Sequence, residues 1–106
     1  MEEPNTLVQQ EIVCFFISND NVRELFAKVG GVLREFLPEA HIYEQDFTLI
    51  IDEKATMVIR QGFTNVVEIT YRFPIEEAEK YLDVIYHVGG KFDTPTYASK
   101  IKRKII

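Results

Sequence analysis

The sequence predicts an α+β fold, a two-layer sandwich in which two helices cover one face of an antiparallel sheet. Three patterns carry this reading. Residues 22–36 and 75–88 hold apolar stripes at helical spacing, residues 66–73 alternate with a period of two, and residues 12–17 form a short, wholly apolar run. A chain of 106 residues with 46% hydrophobic and 27% charged content is long enough for one modest core and too short for two.

Taken in order, residues 1–10 include Glu2, Glu3, Pro4 and Asn5, show no sustained period, and are expected to form a loose lead-in. Residues 11–106 are read as one domain. Ile12-Val13-Cys14-Phe15-Phe16-Ile17 is apolar at every position and rich in β-branched and aromatic residues, which suits a central strand. Asn21 and Glu24 then have the spacing of a helix-capping box. From there Val22, Leu25, Phe26, Val29, Val32, Leu33 and Phe36 form one continuous stripe. Gly30 and Gly31 interrupt that stripe, and each costs about 1 kcal/mol relative to alanine. Close packing against the sheet is the expected reason, and Pro38 is expected to end the helix.

Phe47, Leu49 and Ile51 alternate with Thr48, Ile50 and Asp52, and the polar break 52–55 leads into Thr56–Arg60, so a hairpin is expected. Residues 61–65 make a second turn. In the next strand Val67, Ile69, Tyr71 and Phe73 are assigned to the core, and Val66, Glu68, Thr70 and Arg72 to the other face. Pro74 stands at the start of a second helix, with Glu76, Glu77 and Glu79 against its positive end. Its stripe is Ile75, Ala78, Leu82 and Ile85, widened by Tyr81 and Val88, and Gly89-Gly90 is read as its left-handed stop. Residues 100–105 alternate with a period of two and are read as a closing strand, with a short helix as the alternative. The elements together suggest a ferredoxin-like βαββαβ arrangement with one extra hairpin strand.

The stretches 21–30 and 74–82 resemble the two helices of an RNA recognition motif, and Phe15-Phe16-Ile17-Ser18-Asn19 is similar to that family's first-strand signature. The likeness covers roughly a third of the chain. In that family bases stack on aromatic side chains of the open sheet face, a role the resemblance implies for Phe16. The third-strand signature of a basic residue, glycine and alternating aromatics is not matched by residues 60–65 and the strand that follows.

Charge is unevenly divided. Residues 1–90 carry seven Lys/Arg against sixteen Asp/Glu, whereas the segment 91–106 carries five against one. Lys100, Lys102, Arg103 and Lys104, with Lys91, Phe92 and Tyr97 nearby, are the residues that would track single-stranded RNA or DNA. The plainer use of such lysines is to keep an edge strand from aggregating. Val66, Ile50 and Phe16 are assigned to the face away from the helices, where a protein partner or a second copy of the chain would bury them.

No assembled catalytic set is visible, so the chain is read as a non-catalytic interaction module with no cofactor. His41, Glu44 and Asp46 are close in sequence, but their spacing is wrong for a metal site. The adjacent carboxylates of Asp52 and Glu53 fit a turn. His87 is read as a helix cap or surface residue. One cysteine, Cys14, in an apolar strand, and no apolar run near the roughly 20 residues that span a bilayer, suggest a cytoplasmic protein without a membrane segment.

Overall fold

Among the described residues six strands form one sheet, and two helices lie on it. The structure is a computed structural model that describes residues 8–62, 65–91 and 97–105. The strands are β1 (Val8–Ile17), β2 (Ile42–Gln45), β3 (Thr48–Ile51), β4 (Ala55–Gln61), β5 (Val66–Pro74) and β6 (Tyr97–Ile105). The helices are α1 (Val22–Phe36) and α2 (Ala78–Lys91), the latter entered through a 3₁₀ turn at Ile75–Glu77. The sheet order is β2-β3-β4-β5-β1-β6, and every neighbouring pair is antiparallel.

This is the expected α+β architecture, but the expected βαββαβ order with one added strand is not matched. Four strands lie between the helices instead of three. The unforeseen one is β2, joined to β3 by a two-residue turn at Asp46 and Phe47, whose φ angles are 50° and 60°. Two successive left-handed residues give the turn the twist that a tight hairpin needs, without the usual glycine. The β3–β4 turn uses the same device at Asp52 and Glu53, with φ angles of 52° and 60°. The first strand also begins at Val8, so residues 8–10 belong to the sheet and not to a lead-in.

The core lies between the sheet and the helices. Cross-strand register places Leu49, Met57, Tyr71 and Ile12 in one buried row and Ile59, Ile69 and Cys14 in the next. Leu25, Val29 and Leu33 of α1 and Tyr81, Val84, Ile85 and Val88 of α2 pack into the same cluster, so both helices share one face. Phe73 and Tyr81 stack with ring centroids 5.3 Å apart, tying β5 to α2. Burying each such side chain contributes about 1.5–3 kcal/mol.

Local chemistry explains the helix ends. The side-chain oxygen of Asn21 accepts from the Glu24 backbone N–H at 2.8 Å, which satisfies one free donor of α1. A Cβ on Gly30 would stand 3.0 Å from Nη1 of Arg34 on the same helix and at an ordinary contact distance of 3.8 Å from Leu49 Cδ2 of the sheet, and Gly31 faces open space, so the expected close packing against the sheet does not account for either glycine. At the other helix the stripe is rotated from its expected phase. Val84 is buried and Leu82 is exposed. Gly89 and Gly90 continue the helix to Lys91, and neither takes a left-handed conformation, so they are not its stop. Pro74 closes β5 and stands before the 3₁₀ turn rather than inside α2.

Candidate interaction surface

The face of the sheet away from the helices is built by the alternate residues of each strand. One row runs Tyr43, Ile50, Thr56, Arg72, Glu11, and the next runs Gln45, Thr48, Val58, Thr70, Val13. Beyond them Phe15 pairs with Glu68 and Ile17 with Val66. On β1, a strand with neighbours on both sides, the outward positions Val13, Phe15 and Ile17 are all apolar. Ile17 is 66% exposed and Tyr43 49%. A sheet face meant only for water alternates apolar-in with polar-out, and β1 does not.

In the middle of this face stands an ion pair. Arg72 Nε donates to Glu11 Oε2 at 2.8 Å, across the β1–β5 register pair. The Glu11 side chain is 8% exposed and the Arg72 side chain 45%. A carboxylate this well covered costs desolvation energy, which the guanidinium offsets. The pair also favours this register, since a one-residue slip of either strand would send that strand's member of the pair to the core side and leave the other unpaired.

Ile50 and Val66 lie on this face as expected, both half-buried, at opposite ends of it. Phe16 does not. It is 5% exposed and packs in the core beneath the helices, opposite Val67. The reason is strand phase: Ile12, Cys14 and Phe16 share a parity, and that parity faces the helices. The stacking role implied for Phe16 falls with this placement, and the outward aromatic of β1 is Phe15. The signal that would have set the phase is Glu11, the polar residue just before the apolar run, whose parity marks the odd-numbered positions as those of the face away from the helices.

Among the residues assigned to nucleic-acid contact, Lys91 is the exposed last residue of α2. Tyr97, Lys100, Lys102, Arg103 and Lys104 belong to β6, which is an edge strand. The backbone register sets Lys104, Lys102 and Lys100 opposite Gln9, Glu11 and Val13, and after an irregularity Tyr97 opposite Phe15. Phe92 lies outside the described residues.

The remaining candidates have structural occupations. Asp52 and His41 exchange two hydrogen bonds: the Asp52 N–H donates to the His41 carbonyl at 2.8 Å, and the His41 N–H donates to Asp52 Oδ1 at 2.9 Å. The second bond, with Lys80 and Lys54 nearby, holds the Asp52 carboxyl below the usual carboxylate range. Glu44 pairs with Arg34 at 2.8 Å. Among the described residues no three His, Cys, Asp or Glu side chains gather as metal ligands. His87 stacks on Phe36 with centroids 4.2 Å apart, a contact between the two helices that sequence spacing did not reveal. An open depression of about 430 Å³ beside it is lined by Phe36–Ala40, Asp52 and Lys80.

One buried group has an energetic consequence. Tyr81 is 1% exposed and, among the described residues, its hydroxyl has no hydrogen-bond partner. An unsatisfied buried hydroxyl costs about 1–3 kcal/mol. Tyr81→Phe is therefore expected to raise stability by about 1 kcal/mol in urea denaturation. A loss of stability would show that the hydroxyl is bonded after all.

A two-layer α+β domain with a partly apolar sheet face that neither helix among the described residues covers is the class that this geometry defines. No protein-family model matches the chain, and no curated protein matches it. No helix among the described residues is long and apolar enough to cross a membrane.

Proposed function

We propose that this chain is a small, non-catalytic interaction module that works by packing the uncovered face of its sheet against another protein chain, in the simplest case a second copy. The observation that carries the reading is the outward row of β1, where Val13, Phe15 and Ile17 sit in succession and Ile17 is 66% exposed. Contiguous apolar surface of this kind marks contact sites. The order β6-β1-β5-β4 supports reading the sheet as a ferredoxin-like one extended at one edge by β3 and β2.

Sedimentation over a concentration series tests this. The wild-type chain is expected above monomer mass, and Val13→Arg is expected at monomer mass with an unchanged circular dichroism spectrum. Equal masses for the two would overturn the reading. Nucleic acid is the competing ligand, and an electrophoretic shift with oligonucleotides separates it. Salt-sensitive binding that disappears when Lys100, Lys102, Arg103 and Lys104 become glutamine would transfer the function to the β6 edge.

A further inference from the structure

The sheet is electrically polarised from edge to edge. The β6 edge, residues 97–105, carries four Lys/Arg and no Asp/Glu. The opposite edge, residues 39–53 with β2, β3 and their turns, carries five Asp/Glu, of which Glu44 is paired with Arg34 and Asp52 lies 3.7 Å from Lys80, and Asp46 and Glu53 are in the two hairpin turns. Sequence distance hides this, because the sheet order alone sends these two segments to opposite sides.

Resting on the reading of the uncovered face as an interface, we infer that its occupant is a second copy, held in a closed two-fold dimer whose axis runs parallel to the strands. Of the in-plane two-folds that bring the same face of two sheets together, two keep the strands of the copies aligned. An axis across the strands lays β6 over β6 and β2 over β2, like charge on like. An axis along the strands reverses the edge order and lays the basic edge of each copy over the acidic edge of the other, twice. Electrostatic complementarity of this kind selects orientation and suppresses the alternative. The register sharpens the match. The row of Lys100 ends at Gln45, next to Asp46, and position 104 lies one step past the row of Tyr43, toward Glu53. Asp46 and Glu53 are both exposed. Six strands at about 4.8 Å spacing make a face about 24 Å wide, the scale of a standard dimer contact.

Sedimentation equilibrium on the whole chain tests the arrangement. The wild type is expected to be a dimer whose dissociation constant rises at least tenfold between 50 and 500 mM salt. Lys100→Glu with Lys104→Glu, and separately Asp46→Lys with Glu53→Lys, are each expected to give monomers. The fourfold variant combining all four changes restores opposite charges in the along-strand geometry and is expected to dimerise again, within about tenfold of wild type. A salt-independent dimer, a fourfold variant that stays monomeric while folded, or an open-ended polymer formed edge to edge would overturn the inference. If Val13→Arg abolishes the dimer while every charge variant keeps it, the face reading stands and only the orientation falls. If Val13→Arg leaves the dimer intact, the face reading itself falls.

Discussion

Phe16→Ala is expected to cost roughly 3–5 kcal/mol in urea denaturation, whereas Phe15→Ala costs about 1 kcal/mol at low protein concentration. The two residues are neighbours with the same side chain, so composition and local propensity cannot separate them. Their environments can. Phe16 is 5% exposed between the sheet and the helices, and its removal leaves a cavity that close-packed neighbours cannot fill. Phe15 lies half-buried on the other face, where water replaces the lost ring. A domain of this size has about 5–15 kcal/mol of stability in total, so Phe16→Ala brings the chain near unfolding. Phe16→Leu, expected to cost less, keeps the comparison measurable. The face reading adds a second signature: the cost of Phe15→Ala grows with protein concentration, because association stabilises only the folded chain that presents Phe15. Equal costs for the two alanine variants, or a larger one at Phe15, would invert the strand phase on which the interface is built.

What was legible in the sequence follows from how many independent signals each element carried. The first helix had a stripe, a cap at Asn21 and a terminator at Pro38, and it runs Val22–Phe36. The alternation of β5 assigned Val67, Ile69, Tyr71 and Phe73 to the core, and all four are buried. The β6 strand had its period of two and forms Tyr97–Ile105. Where a signal was missing, the reading slipped. Six apolar residues in succession at 12–17 fix a strand but carry no phase, so Phe16 was placed on the wrong face. The β2 strand is four residues long, mostly exposed, and turns without glycine, so neither burial nor turn chemistry announced it. Val84 lies in the buried stripe of α2 and Leu82 does not, a rotation of the stripe that an apolar pattern with a 3.6-residue period leaves open. The basic half of the edge polarity was visible as a cluster of lysines. Its acidic counterpart was not, because only the sheet order brings out their opposition.

Alkaline pH is expected to destabilise the fold by roughly 4–5 kcal/mol between pH 8.5 and pH 11, through three buried groups that give up their protons less readily in the folded chain than in the unfolded one. Burial pushes the Cys14 thiol up from its ordinary value of 9.0 to about 11. Burial, with Glu77 and Asp52 nearby, pushes the Tyr81 phenol up from 10.0 to about 12. Tyr71 is raised further, by burial first and by the nearby Cys14 second. Each group is neutral when protonated, and each holds its proton more tightly in the folded state than in the unfolded chain. Stability is therefore complete below the unfolded values near 9 and 10 and falls as pH climbs toward the folded ones, by about 1.4 kcal/mol per unit for each group. The loss begins with Cys14 near pH 9, and the two tyrosines join it near pH 10. Urea midpoints measured from pH 8.5 to pH 11 should fall throughout. Cys14→Ala should flatten the curve between pH 9 and pH 10, and Tyr71→Phe should flatten it above pH 10. Surface lysines titrate in the same range, but they do so in all three proteins, so the differences between the curves isolate the buried groups. A wild-type midpoint that holds steady to pH 11, or a Cys14→Ala curve parallel to the wild type, would mean that water reaches the thiol and that the layer between β1 and the helices is not closed.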